Sequence, residues 1–159
     1  IRYALIPYLY SEFLKAALND EMMFRPLAFD FPEDNTAKQA EDQLFLGNEL
    51  MIAPIYKQNA QGRYVYLPEE MMMISMKSVS DYTAAVLPAG HHYVEVPLDT
   101  LVFFIRKGKA IPFGAAADNT SQIDMSALRL LGYEGSTYEL YSDNGYSPEP
   151  EDSLKITTL

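Results

Sequence analysis

The sequence predicts an α+β protein in which an α/β layer over residues 1–55 precedes an antiparallel β-sandwich over residues 56–159. Two observations indicate this division. Apolar residues in the first part follow the succession helix, strand, helix, strand, which is typical of the end of an α/β layer. From about residue 56 the chain shows short alternating runs separated by turn residues, which is typical of paired antiparallel strands.

The opening segment, IRYALIPYLYSEFLKAALND, predicts an amphipathic helix that packs on a larger body and ends at Asn19-Asp20. Its apolar residues recur every four positions, as expected for one helix face. The predicted core-facing stripe consists of Ile1, Leu5, Leu9, Phe13 and Ala17, widened by Ile6, Tyr10 and Leu14.

The remainder of the layer is predicted as a buried strand over residues 24–31, a helix over residues 37–45 and a second buried strand over residues 50–55. Thr36 is expected to cap the helix, and Gly47 to take a left-handed conformation after its end. Two strands and two helices cannot bury both faces of a parallel sheet. We therefore expect further strands of this layer outside the chain. The first residue, Ile1, already lies inside an apolar pattern, and we expect the natural start to lie upstream.

The second part contains two alternating segments that predict strands, RYVYLP and HHYVEVPL. The segment LVFFIRKGKAIPFG holds two short apolar runs around Lys107-Gly108-Lys109, which also predict strands. Later strands are separated by Gly132 and Gly135. The Asn144-Gly145 pair predicts a hairpin turn. Residues 147–153, SPEPEDS, are predicted to form a loop or an edge because they contain few apolar side chains.

Composition limits the partners of the chain. Twenty-two acidic against twelve basic residues give a net charge of −10, which argues against a nucleic-acid partner. No apolar run approaches the length of a membrane span, so no membrane partner is expected. The absence of cysteine excludes disulfides and thiolate metal sites. Localisation stays open, with the cytoplasm slightly favoured.

Five spaced motifs occur in an order that carries a family resemblance: RYALIPYLYSEF, FRPLAFDFPED, EDQLFLGNELMIAPI, RYVYLP and VPLDTLVFFIRKGKAIP. Together they resemble the C-terminal portion of family 31 glycoside hydrolases, the α-glucosidase and α-xylosidase group. The resemblance is close over residues 1–114 and looser over residues 128–147, where YELYSDNGYS is similar to a family strand and turn.

The resemblance implies that residues 1–55 are the last helix–strand–helix part of a (β/α)8 catalytic barrel, and residues 56–159 the proximal C-terminal β-sandwich. The parent protein would cleave terminal α-linked glucose from small saccharides with retention. An α-xyloside is the alternative substrate, and transglycosylation and lyase elimination are the alternative reactions. Its two catalytic aspartates would lie upstream. The chain would therefore contain no catalytic residue and be inactive alone, with no cofactor and no metal.

The expected partners are the rest of the catalytic barrel and, for the parent protein, an α-linked oligosaccharide. Two alternatives from other classes stay open: a non-catalytic carbohydrate-binding β-module, and a structural interaction domain. No binding residue is assigned.

Carboxylates at the end of the predicted strand at residues 24–31 are the first candidates for chemistry, since catalytic loops follow barrel strands. These are Asp30, Glu33 and Asp34. We expect them not to be the catalytic pair, and Asp34 to cap or turn the chain into the next helix. Arg25 needs a partner in a buried strand, and an ion pair with a carboxylate such as Asp42 is predicted.

Other conspicuous residues receive structural interpretations. His91 and His92 are adjacent on a predicted strand and should point to opposite faces, so no shared metal is expected. The methionines in MMMISM are predicted to fill a core, with an adaptable interaction surface as the alternative. Arg106 and Gly108 match the family's R-x-G turn, which implies that they hold the sandwich edge on the barrel.

Overall fold

The computed structural model describes residues 1–147 and 149–159, which form two compact units. The discontinuous unit comprises Ile1–Met23 and Gly108–Leu159, and the central unit comprises Phe24–Lys107. Strands are the main element in the part of the chain that is described, and every strand pair there is antiparallel. None of the helices in this part is long and apolar enough to cross a membrane.

The elements follow one another in this order along the chain. The helices are α1 (Arg2–Asn19), α2 (Leu27–Asp30) and α3 (Asn35–Gln39), with 3-10 turns at Thr120–Gln122 and Pro150–Ser153. The strands are β1 (Phe24–Pro26), β2 (Leu44–Leu46), β3 (Leu50–Ile52), β4 (Gly62–Leu67), β5 (Met71–Met76), β6 (Tyr82–Leu87), β7 (Gly90–Glu95), β8 (Leu101–Arg106), β9 (Ala110–Phe113), β10 (Arg129–Gly132), β11 (Glu139–Ser142) and β12 (Lys155–Thr158).

The central unit contains a six-stranded sheet in the order β1-β2-β3-β8-β5-β6, and a two-stranded sheet of β4 and β7. Apolar side chains from both sheets share one core. Its buried members are Leu27, Ala37, Phe45, Met51, Val65, Leu67, Met71, Val94 and Phe104. The alternation read from RYVYLP appears here directly, because Val65 and Leu67 are buried while Tyr64 is exposed.

The discontinuous unit packs α1 against β9 and β11, while β9 pairs with β10 and β11 pairs with β12. Its buried apolar side chains include Ala4, Tyr8, Leu14, Ile111, Phe113, Leu131, Tyr138 and Leu140. Gly132 at the end of β10 allows close approach of β9: a Cβ there would lie 2.4 Å from the carbonyl oxygen of Lys109.

The predicted helix over residues 37–45 is wrong. The helical turn α3 ends at Gln39, and residues 44–46 form β2, which pairs with β3 through the register Leu46↔Leu50. Gly47 has the predicted positive φ, 67°, but within the β2–β3 turn. The apolar run was short enough to suit either element, and pairing with β3 buries Phe45 and Met51 completely.

The predicted strand over residues 24–31 is right only at its start. Residues 24–26 form β1, and residues 27–30 form the turn α2, which buries Leu27. β1, β2 and β3 belong to an antiparallel sheet and not to the parallel layer expected for residues 1–55. The assignment of those residues to a barrel stays a prediction.

The helix α1 has the predicted length, but Leu14 is the one residue of the predicted stripe that is buried. Its buried residues are Ala4, Pro7, Tyr8, Ser11, Glu12 and Leu14. Phe13, from the predicted stripe, is 55% exposed, and Tyr10 is exposed beside it with the rings 6.4 Å apart. The helix is apolar on more than one side, so periodicity could not select the packed face.

The region around Asn144-Gly145 does not form the predicted two-residue hairpin. Gly145 has φ 69°, and the Asn144 side chain accepts hydrogen bonds from the N–H groups of Tyr146 and Ser147. The connection continues to β12 at Lys155, so the turn lies inside a longer loop. Of the segment predicted as a loop or edge, residues 147–153, Pro148 lies outside the described residues, and Pro150–Ser153 forms a 3-10 turn.

Candidate functional site

The carboxylates after β1 are organised around Asp30. Arg25 donates from Nε to Asp30 Oδ1 at 3.0 Å and from Nη2 to Oδ2 at 3.1 Å. Arg106, at the end of β8, donates from Nη1 to Asp30 Oδ2 at 2.5 Å and from Nε to Glu69 Oε1 at 2.6 Å. We call these four residues the ion network. Its two guanidinium groups and two carboxylates neutralise one another.

The ion network sets the protonation state of Asp30. Partial burial by itself would raise the pKa of this carboxyl, but the hydrogen bonds and charges of Arg25 and Arg106 outweigh burial and lower its pKa. A glycosidase proton donor needs the opposite shift. Asp30 therefore stays ionised, and its arrangement suits structure and not proton transfer.

Asp34 is the N-cap residue of α3, and its side chain caps the helix. Its Oδ1 accepts from the backbone N–H groups of Thr36 at 2.8 Å and Ala37 at 3.1 Å, so the predicted capping role is confirmed. Thr36 was the wrong choice of cap. The Tyr66 hydroxyl donates to Asp34 Oδ2 and is the main cause that lowers the Asp34 pKa. Glu33, the third carboxylate, is exposed.

The predicted partner of Arg25 was wrong. Asp42 pairs with Arg63, whose Nη2 lies 2.6 Å from Asp42 Oδ2, while Arg25 pairs with Asp30. The predicted kind of interaction, an ion pair for the strand arginine, is confirmed. Sequence distance could not show which of several acids the fold brings to each arginine.

The two histidines lie on β7 with separate surroundings. The His91 ring lies 4.9 Å from the Tyr66 ring, and His92 Nε2 donates to the Pro88 carbonyl oxygen at 2.7 Å. Among the described residues, no group of three or more His, Asp or Glu side chains is arranged to hold a metal ion.

The other conspicuous residues take structural positions. Met71 and Met76 are completely buried on β5, which confirms the core interpretation for both. Arg106 belongs to the ion network, and Gly108 has φ 68°. The role of Arg106 and Gly108 toward a barrel stays a prediction.

The sequence assigned no binding residue, but the central unit contains an open cavity of about 330 Å³. Tyr56, Tyr64 and Tyr93 lie around it together with Asp42 and Arg63. Tyrosines in RYVYLP and HHYVEV were visible as alternating residues. What the sequence could not show is that Tyr64 and Tyr93 are direct neighbours across β4 and β7.

Comparison with known proteins assigns the family. The family described as "Glycosyl hydrolase family 31 C-terminal domain" matches residues 20–111, more than half of the chain. The chain therefore belongs to glycosyl hydrolase family 31, and the resemblance inferred from its motifs is confirmed.

Individual relatives agree with this assignment. Alpha-glucosidase 2 of Bacillus thermoamyloliquefaciens is 31% identical over 162 residues, covering 98% of this chain and 20% of the relative. An alpha-xylosidase of Saccharolobus solfataricus is 29% identical, covering 95% of this chain and 20% of the relative. A Flavobacterium johnsoniae family 31 dextranase complexed with isomaltotriose has a TM-score of 0.77 and 26% identity, covering 99% of this chain and 20% of that chain. The chain thus spans about a fifth of the length of these relatives.

Proposed function

We propose that this chain is the C-terminal part of a retaining α-glucosidase-like hydrolase that releases terminal α-linked glucose from small saccharides. Membership of family 31 is the observation that carries the proposal. The alpha-glucosidase among the relatives supports glucose as the sugar, and the alpha-xylosidase keeps an α-xyloside as the second substrate class.

Retaining hydrolysis needs two carboxyl groups about 5–5.5 Å apart, one ionised as nucleophile and one protonated as acid. The carboxylates at the end of the β1–α2 stretch have other tasks: Asp30 binds two arginines, and Asp34 caps α3. Both carboxyls have lowered pKa values and stay ionised, whereas a proton donor must be protonated at the working pH. We place the catalytic pair upstream, in polypeptide that corresponds to the remaining four-fifths of the relatives.

Of the expected barrel residues 1–55, the proposal assigns α1 to the end of a (β/α)8 barrel, since β1, β2 and β3 belong to the antiparallel sheet that contains β8. The family match begins at residue 20, so α1 precedes the C-terminal domain that the match describes. Exposed aromatic side chains on α1, Tyr10 and Phe13, support a further partner for this helix. In the central unit, Phe24 and Phe29 are exposed in the same way. The missing barrel would cover such surfaces, and the C-terminal sheets would support it.

Two proteins test the proposal: the 159-residue chain, and the same chain extended by the coding sequence upstream of Ile1. We expect the extended protein to hydrolyse a chromogenic α-glucoside and to release α-glucose first, as retention requires. The 159-residue chain should show no turnover above a buffer control.

Three results would count against this assignment. Turnover by the 159-residue chain would mean that the catalytic carboxylates lie within it. An extended protein that hydrolyses only the α-xyloside would replace the substrate class and leave the mechanism intact. An inverted product would remove the retaining mechanism.

A further inference from the structure

We propose that the cavity beside the β4–β7 sheet is a saccharide-binding site for an α-linked gluco-oligosaccharide. We call it the tyrosine cleft, and the residues that carry the inference are Asp42, Tyr56, Arg63, Tyr64 and Tyr93. The carbohydrate-binding alternative drawn from the sequence had no residues assigned, and this cleft supplies them. The identity of the sugar, α-linked glucose, rests on the proposed function.

The aromatic part of the cleft is preformed. Tyr64 on β4 and Tyr93 on β7 are paired residues, so their side chains leave the same face of the sheet. Their rings meet edge to face with centroids 5.2 Å apart. Tyr64 is 71% exposed and Tyr93 57% exposed, so both rings are accessible to a ligand. A ligand that packs on both rings would remove their apolar faces from water.

The polar part of the cleft is held by Arg63. Its Nη1 donates to the Asp42 and Pro54 carbonyl oxygens at 3.1 and 2.8 Å, and its Nε donates to the Tyr64 carbonyl oxygen at 3.1 Å. Its Nη2 lies 2.6 Å from Asp42 Oδ2, which also accepts from the Tyr56 hydroxyl at 3.3 Å. These bonds use Oδ2, and the Asp42 side chain is 40% exposed, so its carboxylate can accept from a ligand.

The combination of groups selects a class of ligand. A pyranose ring has an apolar C–H face that packs on a tyrosine ring and a hydroxyl edge that donates to a carboxylate. The net charge of −10 disfavours phosphorylated or acidic ligands, and of the two cations in the lining, Lys57 and Arg63, Arg63 is already paired with Asp42. A purely apolar ligand would desolvate the Asp42 carboxylate without adding a hydrogen bond to it.

The space available suits an oligosaccharide. The cleft holds about 330 Å³, at the small end of the range for small-molecule sites. A second cavity of about 870 Å³ shares Ile55, Lys57, Ala60 and Tyr93 with it. Tyr93 therefore borders both spaces, and a chain of several sugar units can pass from one to the other.

The test titrates the 159-residue chain with maltohexaose, followed by calorimetry and by the tyrosine ring signals in NMR. We expect saturable binding that Tyr64→Ala and Tyr93→Ala each weaken by about tenfold. Tyr64→Phe, which keeps the ring, should bind within about twofold of the unchanged protein. Tyr146→Ala is the matched control, because Tyr146 is 93% exposed and does not border the cleft, and it should change nothing.

Several results would overturn the inference. One is that the unchanged chain shows no saturable binding of maltohexaose. Another is that Tyr146→Ala loses as much affinity as the cleft variants do, and a third is that Tyr64→Ala and Tyr93→Ala both keep full affinity. Equal affinity for cellohexaose, a β-linked glucan, would overturn the α-linked part. Circular dichroism of each variant verifies the fold, and Tyr64→Phe separates loss of the ring from loss of structure. Binding is measured without hydrolysis, so the two proposals can fail separately. If the extended protein hydrolyses α-glucosides but the 159-residue chain does not bind maltohexaose, only the binding site is refuted.

Discussion

Replacing Arg106 with methionine tests whether the ion network stabilises the central unit. The Arg106 side chain is 18% exposed and donates to two carboxylates, at 2.5 Å to Asp30 and 2.6 Å to Glu69. Its guanidinium carbon also lies 4.6 Å from the centroid of the Phe45 ring. Methionine keeps most of the apolar stem and removes only the charge and the donors.

The expected loss follows from these contacts. A hydrogen bond to a charged group contributes about 1.5–3 kcal/mol, and removing one partner of a buried ion pair costs about 3–5 kcal/mol. Asp30 keeps Arg25, and the network is partly exposed, so we take about 3 kcal/mol as the cost. With a urea m-value of about 2 kcal/mol/M, the unfolding midpoint should fall by about 1.5 M.

The assay is equilibrium urea unfolding followed by far-ultraviolet circular dichroism and tyrosine fluorescence. Lys77→Met is the matched control, since Lys77 forms an ion pair with Asp99 in which both side chains are mostly exposed. Its midpoint should move by less than about 0.3 M. If Arg106→Met shifts the midpoint no more than Lys77→Met does, the ion network does not stabilise the fold.

Three further predictions concern the acids and the glycines. The folded-state pKa of Asp30 is lowered, so its ionised form contributes stability above about pH 4 that is lost as the pH falls. In Asp30→Asn, the free energy of unfolding should therefore fall less steeply with decreasing pH in the acidic range. Asp34→Ala should lower the Tm by about 3 °C through loss of the α3 cap, whereas Glu33→Ala, at an exposed side chain, should leave the Tm unchanged in calorimetry. Gly132→Ala should lower the free energy of unfolding in urea by about 3 kcal/mol or more, because the new Cβ would overlap the backbone of β9. Gly108→Ala is the control: Gly108 has φ 68° but open space around it, so the cost should be about 1 kcal/mol. Equal costs for the two variants would contradict the overlap.

Local patterns predicted several strands of the second part of the chain, although not β5, β6 or β12. The strands β4 and β7 begin within one residue of the two alternating segments, because alternation reports directly which side of a strand is buried. The strands β8 and β9 lie within the two apolar runs of residues 101–114. The end of α1 at Asn19 also follows from local chemistry, as Asp20 adopts φ 55° beyond it. The capping role of Asp34 belongs to the same class of short-range interactions.

The first part was predicted less well where a pattern suits two structures. Residues 37–45 combine a polar start with a short apolar run, and only pairing with β3 decides that residues 44–46 form a strand. The face of α1 that packs inward depends on the sheet strands that meet it, since apolar side chains lie on more than one side.

The sequence by itself determined the family, the antiparallel strands of the second part and the expectation that Asp30 and Asp34 serve structure, because motif order and alternation are properties of the chain alone. Only the tertiary structure decided which acid pairs with Arg25, and that Tyr64, Tyr93, Asp42 and Arg63 surround one cleft. The cleft joins residues far apart along the chain, and Arg25 has several acids near it in sequence of which the fold selects Asp30. The energies of these groupings depend on strand register and on distances of a few ångströms, which folding sets and which no local pattern contains.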